Sequence, residues 1–102
     1  MTDKEFQALT DTFFERLARA LDGSDADLVQ TGSGVFEIEF DNAESIVVNR
    51  HAPSREIWVA ARSGAHHFRW DGEDWRDTRS GETIRAVLSG MLGDRRQRTG
   101  DR

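Results

Sequence analysis

A two-layer α+β sandwich, with N- and C-terminal helices packed on one face of a five- or six-stranded antiparallel sheet, is the fold this sequence predicts. Three observations carry it. Apolar residues recur at helical spacing over residues 6–21 and again from Ile84, whereas between Leu28 and about Thr78 the apolar period falls to two. The connections between the period-two runs are too short for a parallel crossover, so consecutive strands must be antiparallel. Each helix has one apolar stripe and each strand one apolar face, so both helices are expected on the same side of the sheet, with the other side in water.

The first helix is announced by Thr2 and Glu5, a capping box, with Asp3 favourably placed in the first turn. Phe6, Leu9, Phe13, Leu17, Ala20 and Leu21 form its stripe, and "DGSD" ends it. In "VFEIEF", Phe36, Ile38 and Phe40 take one face and Glu37 and Glu39 the other. "SIVVNR", "REIWVAA", "AHHFRW" and "DWRDT" follow, separated by the turn sequences "DNAE", "HAPS", "RSG" and "DGED". Ser80 offers an N-cap and Glu82 a first-turn acid for a second helix built on Ile84, Val87, Leu88 and Met91 and ending near Gly93. Residues 1–93 therefore read as one domain, and 94–102 as a charged, frayed tail.

Composition narrows the function. At 102 residues and 36% apolar content the chain supports one modest core. It has no cysteine, which removes disulfides, thiolate nucleophiles, zinc ribbons and cysteine ligation of an iron–sulfur cluster. No run approaches the roughly 18 apolar residues of a membrane span, and the start lacks the basic flank and apolar run of a signal peptide, so a cytoplasmic protein is expected. The net charge of −5 is unevenly spread: ten acids stand against Lys4, Arg16 and Arg19 in residues 1–41, whereas nine acids stand against eleven Arg in the rest. Such an acidic end attracts cations or basic partners and repels nucleic acid.

Asp11, Glu15 and Asp22 fall within roughly 40° of one another on a helical wheel, forming a ridge opposite Phe6, Phe13 and Leu17. Like charges four residues apart cost a few tenths of a kcal/mol, so helix stability alone does not select Asp11 beside Glu15. The plain alternative is a solvated face, with Glu15 paired to Arg19 and the remaining acids serving a turn. "DGSDAD" lacks the glycine and glutamate of an EF-hand loop, which leaves an open carboxylate surface able to take hard cations weakly.

In "REIWVAA", alternation sets Ile57, Val59 and Ala61 against Glu56, Trp58 and Ala60. If the first set faces the helices, Trp58 faces water, and by the same parity Asn49, His51, His67 and Arg69 share its side. A polar patch centred on an exposed tryptophan suits protein binding. His66 and His67 point to opposite faces and cannot readily chelate one ion, so His66 is expected to be a partly buried packing residue. No catalytic constellation is present.

The segment "SIVVNRHAPSREIWVAARSGAHHFRWDGEDWRDTRSGETI" resembles the bacterial frataxin, or CyaY, family. The similarity spans residues 3–92, and its most specific parts are "VVNR", the Pro53 turn, "IWVA", "HFRWDG" and "RSGE" in the family's order and spacing. The resemblance implies the same α+β sandwich. It further implies weak binding of ferrous or ferric iron along the first helix and first strand, with Asp3, Asp11, Glu15, Asp22, Asp25 and Asp27 as candidate ligands. It also implies docking on the cysteine desulfurase and scaffold machinery of iron–sulfur cluster assembly through Trp58, Asn49 and His67.

The chain departs from the family where bacterial members often carry a denser acidic run. Here the connection shortens to "DGSDADLVQ", and Ala18 and Arg19 occupy positions that can be acidic. The expected function is a non-catalytic, iron-binding regulator of cluster assembly, monomeric without iron, with no nucleic acid or membrane partner. Its rivals are a ferroxidase or iron store and a metal-independent adaptor; the chain lacks the Glu-x-x-His pair of a di-iron centre.

Overall fold

A computed structural model describes residues 1–41 and 44–100, without the side chains of 93–100. Helix α1 (Asp3–Leu21) begins on the predicted capping box: Glu5 N–H donates to Thr2 Oγ1 at 3.1 Å, and Thr2 N–H donates to Glu5 Oε1 at 2.7 Å. Six strands follow: β1 (Ala26–Gly32), β2 (Val35–Phe40), β3 (Ser45–His51), β4 (Glu56–Ala61), β5 (Gly64–Trp70) and β6 (Trp75–Asp77). Each pairs antiparallel with its neighbours in the chain, so the spatial order is β1-β2-β3-β4-β5-β6. Helix α2 (Ile84–Gly100) closes the fold. A 3-10 turn over Ala52–Ser54, containing Pro53, joins β3 to β4. The predicted "DNAE" turn includes Asn42 and Ala43, which lie outside the described residues.

Strand alternation follows the period-two pattern of the sequence. Ile38, Phe40, Ile46, Val48, Ile57, Val59 and Phe68 are buried under the helices, and Trp58 lies on the opposite, bare side of the sheet, half-buried. Helix roll does not follow its pattern. Ala20 is exposed and Phe13 only half-buried, whereas Thr10 and Phe14, absent from the predicted stripe, are buried. The cause is a long-range partner: Phe14 stacks on Phe36 of β2 at 4.1 Å, and Arg50 of β3 reaches across to Thr10. These contacts turn α1 toward β2 and β3.

Both ends of α2 also differ from expectation. Thr83 rather than Ser80 caps the helix, accepting Ala86 N–H on Oγ1 at 3.2 Å and Val87 N–H on its carbonyl at 3.1 Å. Ser80 is instead held in the preceding turn, its N–H donated to Asp77 Oδ1 together with that of Arg79. The helix runs through Gly93 to Gly100, since Gly90 and Gly93 each cost only about 1 kcal/mol and "DRRQR" supplies good helix formers with no proline after it. Residues 101–102 of the expected tail lie outside the described residues.

Rolling α1 toward β3 opens a cleft on its other flank. About 400 Å3 of space separates Leu9, Phe13 and Ala20 from Leu88 and Leu92 of α2, with Trp70 among the residues lining it.

Candidate functional site

The six acidic candidates are dispersed along the whole of α1 and into the start of β1. Asp3 is paired with Arg55 Nη2 at 2.7 Å, and Asp11 with Arg50 Nη2 at 2.5 Å. Glu15 lies exposed on α1, and among the described residues no ion pair ties it to Arg19. Asp22 has left the helix: it is the C-cap, with extended backbone and its N–H donated to the Arg19 carbonyl, so the ridge drawn on a helical wheel loses its last member. Asp25 sits in the following loop. Asp27 is on β1 opposite Glu39 of β2, and because its neighbour Ala26 is buried in the core, Asp27 belongs to the bare face of the sheet rather than to the ridge. Among the described residues, no three acidic or histidine side chains converge as a metal site. The donor set fits loosely held, hard, oxygen-seeking cargo, and a closed cage is absent among the described residues.

Arg50 organises the join between ridge and sheet. Its Nε donates to Thr10 Oγ1 at 2.7 Å, and its guanidinium carbon lies 5.6 Å from the Phe14 ring centroid. The turn between β1 and β2 closes against it: the Arg50 N–H donates to the Gly34 carbonyl at 2.7 Å. Gly34 has φ +72°, and a Cβ there would stand 3.3 Å from Arg50 Cβ, so both conformation and space favour glycine.

The Trp58 patch, in contrast, is assembled. Strand register sets Asn49 opposite Trp58 on one side and His67 opposite it on the other, so the three predicted docking residues form one row across β3, β4 and β5. The indole is sandwiched between His51 and His67, with ring centroids at 3.7 and 4.3 Å and interplanar angles of 13° and 11°. Beneath it lies a residue whose part the sequence did not reveal. Glu56, 6% exposed, takes the Trp58 Nε1–H at 2.9 Å, the Ser54 hydroxyl at 3.1 Å and Arg69 Nη2 at 2.8 Å. Burial pushes the Glu56 carboxyl up, but the bonds from Trp58, Arg69 and Ser54 outweigh it and hold the group below its ordinary pKa. The one available signal was Glu two residues before Trp on the same strand face.

His66, on the other face of β5, contacts Asp77 Oδ2 through Nδ1 at 2.7 Å, which gives the expected packing residue a polar anchor. The bare face is also graded in charge. Asp27 and Glu39 face each other across β1 and β2, whereas Arg69 and Arg76 face each other across β5 and β6.

The sequence matches the frataxin-like domain over residues 1–98. This chain belongs to the frataxin family. Among relatives of this frataxin, the "iron-sulfur cluster assembly protein CyaY" of Dechloromonas aromatica is 50% identical over 91 residues, which cover 87% of each chain. The solved frataxin of Psychromonas ingrahamii shares 29% identity and superposes with a TM-score of 0.86 over 93% of this chain and 91% of its own. A trimeric yeast frataxin, from Saccharomyces cerevisiae and complexed with ferrous iron, is 25% identical with a TM-score of 0.59, covering 90% of this frataxin and 81% of the yeast chain. The fold expected from the frataxin resemblance is thus the fold observed, with six strands.

Proposed function

We propose that this frataxin acts in iron–sulfur cluster assembly as a non-catalytic regulator, binding iron weakly at its α1–β1 end and docking on the cysteine desulfurase through the Trp58 face. The observation that carries the reading is the Asn49–Trp58–His67 row, an immobilised indole on an otherwise bare sheet face. An aromatic held in one orientation loses little conformational freedom on binding, which is what an interface anchor requires. Support for the process comes from the relative named as an iron–sulfur cluster assembly protein, and support for iron from the yeast relative complexed with ferrous iron. The dispersed carboxylates favour transient iron binding over storage, since they do not converge and two of them, Asp3 and Asp11, are already paired with arginines.

Two variants separate the halves of this reading. Glu15→Gln with Asp22→Asn is expected to weaken a micromolar or weaker iron interaction while leaving folding intact, read by iron titration with NMR line broadening on α1. Trp58→Ala is expected to weaken desulfurase binding at least about 30-fold if the indole is a hot spot worth about 2 kcal/mol or more. An unchanged iron titration in the first variant would remove the acidic end from the account. Undiminished desulfurase binding in the second would remove the sheet face. Rapid catalytic oxidation of ferrous iron by stoichiometric protein would favour the ferroxidase instead.

A further inference from the structure

The indole of Trp58 is flanked on both faces by imidazoles, those of His51 and His67, and histidine is the side-chain type whose charge ordinarily changes near neutral pH. His51 Nδ1 contacts Ser54 Oγ at 2.7 Å, Ser54 donates to Glu56 at 3.1 Å, and His67 Nδ1 stands 3.9 Å from Glu56 Oε1. The stack and the buried carboxylate therefore form one connected unit. Around it, β3 contributes neutral Asn49, β4 contributes Glu56, β5 contributes Arg69 at 2.8 Å from Glu56, and β6 contributes Arg76 opposite Arg69. Arg76 is itself paired with Asp71 at 2.6 Å.

An indole that enters a partner's surface is dehydrated together with the rings lying on its two faces. Dehydrating neutral imidazoles costs far less than dehydrating imidazoliums. Glu56 cannot compensate for both, because its single negative charge is already matched by Arg69. Each added proton also brings positive charge toward Arg69 and away from the complementarity that an acidic protein offers a basic partner.

We propose that the His51–Trp58–His67 stack gates docking by proton uptake: the face is competent while both imidazoles are neutral and loses affinity as they become charged. The inference rests on docking through this face on the cysteine desulfurase. Because association favours the unprotonated rings, protons are released on docking at mildly acidic pH, and affinity falls as pH falls.

The dissociation constant of the full-length chain with the cysteine desulfurase, measured at about pH 8 and about pH 6 by calorimetry, tests this. For the unmodified chain it is expected to rise on the order of tenfold at the lower pH. In His51→Gln with His67→Gln, which places planar neutral amides on the two faces, the change is expected to shrink below about threefold whatever the variant's affinity at high pH. In the free chain, the Trp58 indole proton resonance is expected to shift along with the two imidazole titrations. Equal pH dependence in both proteins overturns the gate, since the titrating groups then belong to the partner. So does an unmodified chain that binds equally at both pH values, or an indole resonance that stays fixed while the imidazoles titrate; the last requires no variant to fold. Absence of binding at either pH fails the docking reading itself, whereas binding that persists without responding to pH fails the gate alone.

Discussion

Thr10 is fully buried, and one distant cation accounts for it. Its hydroxyl donates to the Phe6 carbonyl at 2.9 Å and accepts Arg50 Nε at 2.7 Å. Thr10→Val preserves shape but strips Arg50 of this acceptor, and a loss of about 1–3 kcal/mol is expected in urea unfolding, with Thr10→Ser restoring most of it. Thr10 and Phe14 could not be placed from the sequence, because apolar periodicity gives threonine no reason to enter a core and Arg50 is 40 residues away. Glu56 makes the same point about charge: a glutamate inside a strand reads as solvent-facing until its three donors are visible. Its consequence is a pH dependence. Glu56 and Asp77 are each pushed up by burial but held lower overall by hydrogen bonds, from Trp58, Arg69 and Ser54 to Glu56 and from the Arg79 and Ser80 amides and His66 to Asp77. The unfolded chain then takes up protons first, so their stabilisation is present above the ordinary carboxylate range and is lost as pH falls from there through the lowered folded-state values. Glu56→Gln is expected to be less stable than the unmodified chain at pH near 7 by about 1–2 kcal/mol, with the gap narrowing toward about pH 3 in urea melts.

Strands were more legible than helices, for a geometric reason. A period of two permits only two orientations, so one buried pair such as Ile57 and Val59 fixes the face of a whole strand, Trp58 included. A helix has a continuous choice of roll, and the Phe6–Leu9–Phe13–Ala20 stripe was compatible with more than one. In the structure that stripe divides: Phe6, Leu17 and Leu21 are buried in the core, with Leu17 and Leu21 also reaching the cleft toward α2, whereas the more exposed Leu9, Phe13 and Ala20 line that cleft without being buried. The acidic ridge fared differently: "DGSD" already marked the end of the helix at Asp22, so the wheel overextended the ridge, whereas the pairing of Asp11 with Arg50 was not visible in sequence. The cleft predicts a stabilising change. Ala20→Leu retains good helix propensity and covers apolar cleft wall, so a gain of about 0.5–1 kcal/mol, or a melting temperature higher by about 2–6 °C, is expected from calorimetry. The proposed docking through Trp58 is expected to be unaffected, since Ala20 is on the helix layer and Trp58 on the opposite side of the sheet.

At the scale of the molecule, the sequential order of the six strands sets how the chain assembles in time. Among the described residues, each strand pairs within the sheet with its neighbours in sequence, so the sheet can grow by adding hairpins, each closing a short loop at small entropic cost. The expensive closure is the return of α1 across the finished sheet, marked by the edge-to-face contact of Phe6 with Trp75 at 6.0 Å. Pairings near in sequence favour early formation, and a contact spanning most of the chain is expected late, after the rate-limiting barrier. Phe6→Ala should therefore cost about 3–5 kcal/mol at equilibrium and express nearly all of it as faster unfolding, with the refolding limb of the chevron almost unmoved. A refolding rate that fell in proportion to the lost stability would instead place α1 in the nucleus. On the first account, the acidic end that α1 supplies is the last part of the molecule to be secured and the first to be released.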